Sequence, residues 1–198
     1  MAPYWYRVLK RELATPRMRL AGTGKLPVPV HEMKGLKRLD GTEFDASVLR
    51  GKVVLVTNVA SRCVYTSVNY DQLSRLDAEF PGLEVVAVPS DDFDQEPGDA
   101  KEIQGVCELH HANFSILEKS DINGGNRSML FAALARATGT EEIAVTWNFE
   151  TKFLVAADGV TVERFKNAYY PKNLRPFVVE LLEAAAAPAP QPPVSASA

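Results

Sequence analysis

At 198 residues, 46% hydrophobic and 24% charged, the chain is long enough to bury one substantial core and short for two independent domains. A formal net charge of -3 gives no overall drive toward nucleic acid, and no stretch approaches the ~20 apolar residues that cross a bilayer. Two cysteines are too few for a disulfide scaffold or a four-thiolate zinc site, and the adjacent His110 and His111 cannot share a helix face, so no metal or other cofactor is expected.

The first 27 residues read as a basic arm: Arg7, Lys10, Arg11, Arg17, Arg19 and Lys25 face the single acid Glu12, with Tyr4, Trp5 and Tyr6 interleaved. That bias fits a mitochondrial or plastid transit peptide, or an arm that binds a partner or is merely solvated; the cytoplasm is the alternative location. VHEMKGLKRLDGTEFD then reads as a short hairpin or irregular strand pair turning at Asp40 and Gly41. KVVLVTNVA is a β-branched run of the kind that forms a buried central strand. Tyr70, Leu73, Leu76 and Phe80 recur at helical spacing until Pro81 and Gly82 stop the helix, and LEVVAVP is a second buried strand. Strand, helix and strand over 52–89 make a parallel βαβ unit.

Beyond the acidic loop DDFDQEPGD, a helix is expected from about Asp99 to Leu109 and another from Arg127 to Ala137. TKFLVAADGVTVERF alternates as two strands joined at Asp158 and Gly159, and Leu174, Phe177, Val178, Leu181 and Leu182 line one face of a final helix. A βαβ unit followed by a ββα unit predicts an α/β, thioredoxin-like domain over 28–183, a central mixed sheet flanked by helices. The Ala/Pro-rich tail at 184–198 has no apolar pattern to bury.

Cys63 follows the central strand and precedes a helix, where unsatisfied N–H groups and the helix dipole favour a thiolate. The same position also suits a buried structural cysteine. Taken singly, Gln95 reads as a turn residue, Trp147 as core and Asn148 as a strand-end cap.

The segment NVASRCVYTSVNYDQL, however, resembles the active-site segment of the glutathione peroxidase family, and the resemblance continues through DQEPG and TWNFETKFLVAADGVTVERF. It covers about 28–183 and leaves both tails outside. It implies that Cys63 is a peroxidatic nucleophile, with Gln95, Trp147 and Asn148 as its polar partners. It further implies that Cys107 is the resolving cysteine of the thioredoxin-dependent branch, although a buried helix thiol remains the alternative. The implied activity is reduction of hydrogen peroxide or of organic and lipid hydroperoxides by a monomeric thiol peroxidase. A thioredoxin-like reductant would recycle a Cys63–Cys107 disulfide. Val64 stands where the family usually has glycine, Ser90, Asp91 and Asp92 where it has Cys, Asn and Gln, and Ser128 and Met129 where it has His and Pro. The added carboxylates are expected to work against a Cys63 thiolate. These departures and the two tails leave a second reading, a fold recruited as an accessory subunit of a larger assembly.

Overall fold

The computed structural model describes residues 18–187; the residues of the basic arm before Met18 and the tail beyond Ala187 lie outside them. The apolar run after Lys52 becomes β2 (Val53–Val59), buried at every residue because the sheet is covered on both faces. Helix α1 (Thr66–Glu79) follows, and β3 (Leu83–Pro89) returns parallel to β2, with Val53 beside Leu83 and Val59 beside Pro89. Helix α2 (Ala100–Leu109) begins with a capping box: the Asp99 carboxylate accepts from Lys101 and Glu102 amides, and the Glu102 side chain accepts from the Asp99 amide.

A two-residue strand, β4 (Ser115–Ile116), lies parallel to β3, where the sequence suggested only loop. Helix α3 (Met129–Ala137) precedes the hairpin of β5 (Lys152–Val155) and β6 (Thr161–Lys166), whose turn is fastened by the Asp158 carboxylate accepting from the amides of Val160 and Thr161. Helix α4 (Arg175–Ala186) closes the domain and carries the helix slightly into the segment assigned to the tail. The turn at Asp40 and Gly41 forms as an irregular pair, with Lys37 bridging Glu43 and Gly41 at φ +84°.

The sheet order is β1-β6-β5-β2-β3-β4. Its first strand corrects the boundary drawn from sequence. β1 (Arg19–Lys25) lies within the stretch read as a basic arm, yet pairs antiparallel with β6 from Arg19–Lys166 to Lys25–Thr161. Two glycines make this possible, since a Cβ on Gly24 would stand 1.7 Å from the Ala137 carbonyl oxygen and one on Gly22 would stand 2.3 Å from that of Thr138.

Alternation along the strands divides the core. Val53, Leu55, Val59 and Leu154 pack with α1, α2 and α4, whereas Val54, Val56, Phe153 and Val155 pack with α3 and the segment 26–49. Among the described residues no helix is long and apolar enough to cross a membrane.

Candidate active site

Cys63 occupies the turn between β2 and α1, buried in the core shared with α1, α2 and α4. Thr66, the first residue of the helix, fixes this turn: its hydroxyl accepts from the Cys63 amide at 3.1 Å and donates to the Ala60 carbonyl at 2.7 Å, and its own amide donates to the Cys63 carbonyl at 3.0 Å. The cysteine therefore sits three residues before the first residue of a 14-residue helix, at its N-terminal end.

Two of the three expected polar partners meet. The Asn148 amide donates to Gln95 Oε1 at 3.0 Å, and the Asn58 amide, from the end of β2, donates to Asn148 Oδ1 at 3.4 Å. The Arg62 amide donates to the Gln95 carbonyl at 3.0 Å, tying the loop of Gln95 to the residue before Cys63. Trp147 lies partly exposed beside them, its ring 5.4 Å from that of Phe93. The residue preceding Gln95 and the one following Asn148 both adopt left-handed conformations that non-glycine residues seldom take, Asp94 at φ 56° and Phe149 at φ 61°.

The extra carboxylates have structural work in the loops. Asp91 accepts from the Glu96 amide, and Asp92 accepts from Ser90, Ile122 and Asn123. Val64 projects into solvent, 84% exposed, so its side chain does not crowd the core around Cys63.

Several neighbours carried no signal in the sequence. Tyr169 stacks on Tyr65 at 4.8 Å, and its hydroxyl is held above the ordinary phenol range, first by burial and then by electrostatic interaction with Glu150, Tyr65 and Cys63. Glu96, next to Gln95, is fully buried; burial raises its pKa while the Ser61 hydroxyl, bonded at 2.9 Å, opposes the rise. Lys152, Glu150 and Asn69 are likewise buried beneath the site. A lysine at the head of an alternating strand reads as solvent-facing; the available clue was that Lys152 is in phase with core-facing Leu154.

Cys107 lies on the buried face of α2, in the same core cluster as Cys63, and both thiols are free. Burial pushes its thiol pKa up, partly offset by the Tyr70 hydroxyl beside it. That hydroxyl has no oxygen or nitrogen partner among the described residues, and the Tyr70 ring packs against His110 and Phe114. The thiol also borders an open groove of about 310 Å³ lined by Arg38, Gln104 and Ala112. Among the described residues no three His, Cys, Asp or Glu side chains gather as metal ligands would.

A cysteine at the strand-to-helix turn of a six-stranded mixed sheet with four helices defines a thiol protein of the thioredoxin-like class. Residues 30–135 match the glutathione peroxidase family model. A probable phospholipid hydroperoxide glutathione peroxidase from Citrus sinensis is 38% identical over 161 residues, covering 79% of this chain and 95% of that protein. A probable phospholipid hydroperoxide glutathione peroxidase of Arabidopsis thaliana, described as mitochondrial, is 33% identical over 187 residues, 89% of this chain and 80% of that one. The crystal structure of T. cruzi GPX1 superposes with a TM-score of 0.61 at 29% identity, covering 79% of this chain and 97% of the other. The chain belongs to the glutathione peroxidase family: it is an oxidoreductase, a peroxidase on a thioredoxin-like fold.

Proposed function

We propose that this peroxidase reduces hydrogen peroxide or organic and lipid hydroperoxides with Cys63 as nucleophile and Gln95, Trp147 and Asn148 as the donors around it. The observation that carries the assignment is the Gln95–Asn148 pair, joined through Arg62 to the Cys63 turn although the two residues lie 53 positions apart. Amide and indole N–H groups suit the thiolate and the peroxide oxygens. The thiolate sulfur attacks one peroxide oxygen, the O–O bond breaks, and the leaving oxygen takes a proton to depart as water or an alcohol. Cys63 is left as a sulfenic acid. Cys107 then attacks the Cys63 sulfur, the S–O bond breaks with loss of water, and the resulting disulfide is reduced by an external dithiol of the thioredoxin type.

Two features support the dithiol over glutathione: a second thiol in the same core cluster, and a short segment before Trp147. The Cys63–Cys107 step calls for local opening of α2, because a disulfide needs Cα atoms roughly 4.4–6.8 Å apart and a helix-bound, buried thiol must turn to reach its partner. Residence in a mitochondrion or plastid fits the basic residues before Met18 and the mitochondrial relative. The accessory-subunit reading is not favoured, since relatives matched over most of their length carry peroxidase names.

The test combines mass and turnover. Wild type treated with one equivalent of peroxide should lose two hydrogens and cycle with thioredoxin, thioredoxin reductase and NADPH, whereas Cys107→Ser should stop at a sulfenic acid. Iodoacetamide should label Cys63 at pH 6 faster than an unfolded cysteine peptide. Equal cycling by Cys107→Ser would refute the two-cysteine route; slow labelling would refute the activated thiolate.

A further inference from the structure

We propose that Lys152 is a positioning residue, the clamp that fastens the turn bearing Trp147 and Asn148 to the helix that begins beside Cys63. This rests on the reading of Trp147 and Asn148 as partners of Cys63. A fully buried lysine is costly and persists where its nitrogen is held. Lys152 Nζ donates to the Phe149 carbonyl at 2.7 Å and to Asn69 Oδ1 at 3.2 Å.

Each acceptor leads to a different side of the site. Phe149 is the left-handed residue directly after Asn148, and the turn around it is closed by the Glu150 amide donating to the Trp147 carbonyl at 3.3 Å. Asn69 is buried on α1 and gives its own amide protons to the carbonyls of Tyr65, at 3.0 Å, and Tyr169, at 2.8 Å. One amino group thus joins the Trp147–Asn148 turn, the first turn of α1 and the Tyr65–Tyr169 stack.

The arrangement accounts for a residue that core packing alone would not select. Lys152 shares its sheet face with Leu154, where a methionine would fill similar space. Lys152→Met would strand the Phe149 carbonyl and Asn69 Oδ1 without these hydrogen bonds and release the left-handed turn. Displacements near 1 Å at a reacting centre cost up to ~100-fold in rate.

The experiment compares Lys152→Met, Asn148→Ala and their parent, all carrying Trp5→Phe so that Trp147 is the sole tryptophan. Stopped flow reads oxidation by hydrogen peroxide, and a second mixing reads re-reduction by dithiothreitol. The expected result for Lys152→Met is oxidation slowed about tenfold or more, a shifted Trp147 emission maximum, and re-reduction within about twofold of the parent. Oxidation within about twofold of the parent, with Asn148→Ala slowed, overturns the clamp and leaves the site reading standing. Unchanged oxidation in both variants overturns the site reading and the clamp with it. Equal slowing of both half-reactions with unchanged emission means a purely structural lysine and also overturns the proposal. Should Lys152→Met not fold, Asn69→Ala cuts the same link from α1 and is held to the same outcomes.

Discussion

Replacing Lys152 by methionine should change how stability depends on pH, and the size of the effect follows from burial. Desolvation lowers the Lys152 pKa from 10.5 to about 7, against a smaller opposing pull from Glu150. The unfolded chain therefore binds more protons than the folded one between pH 7 and 10.5, and stability rises with pH across that window. Below pH 7 the lysine is charged in both states and its burial weighs fully against folding. Every tenfold difference in proton affinity between the two states corresponds to ~1.4 kcal/mol, so the whole window spans about 5 kcal/mol, of which about 2 kcal/mol falls between pH 7 and 9. Urea unfolding of wild type and Lys152→Met at pH 7, 8 and 9, in excess reductant, isolates this contribution, because every other titrating group is common to both proteins. Wild type should gain about 2 kcal/mol on the variant over that range. Parallel stability curves would refute the assignment of an uncharged, buried amine.

Two other perturbations separate folding from function. Asp99→Ala removes the capping box of α2 and should cost ~1 kcal/mol; if opening of α2 limits disulfide closure, Cys63 and Cys107 should also join faster after a peroxide pulse, and an unchanged closure rate would show that the helix is not the barrier. Gly24→Ala should destabilise the domain by about 1–3 kcal/mol, read as a lower urea midpoint, because its methyl group collides with the Ala137 carbonyl; a neutral effect would mean that β1 is not packed on α3 as described.

What the sequence made legible were the elements with strong periodicity. β2 and β3 are short, valine-rich and largely apolar runs, α1 and α4 carry apolar residues at helical spacing, and the β5–β6 hairpin announces itself through Asp158 and Gly159. β1 escaped because RLAGTGK has neither alternation nor bulk; backbone pairing and two bare glycines hold it in place. β4 is too short to show a pattern. At the site, the resemblance brought Gln95 and Asn148 to notice, and no local rule joins residues so far apart. Lys152, Asn69 and Glu150 stayed hidden because polar side chains ordinarily face water, whereas here the sheet is buried on both faces and each also bonds a residue of another segment, Lys152 to Asn69, Asn69 to Tyr169 and Glu150 to Asn167. The sequence also did not show that Asp91 and Asp92, whatever their charge does to Cys63, close loops by accepting from backbone amides.

Proteolytic maturation would meet a hard limit at the glycine-bearing edge strand. If the basic leader is trimmed after delivery to an organelle, a cut at residue 27 would excise Arg19–Lys25 together with the leader. It would expose the outer edge of β6 and uncover the end of α3 against which Gly22 and Gly24 lie. Under such processing, a chain that keeps this sheet would begin no later than Arg19, and any leader would end before the last two basic residues of the arm, Arg19 and Lys25.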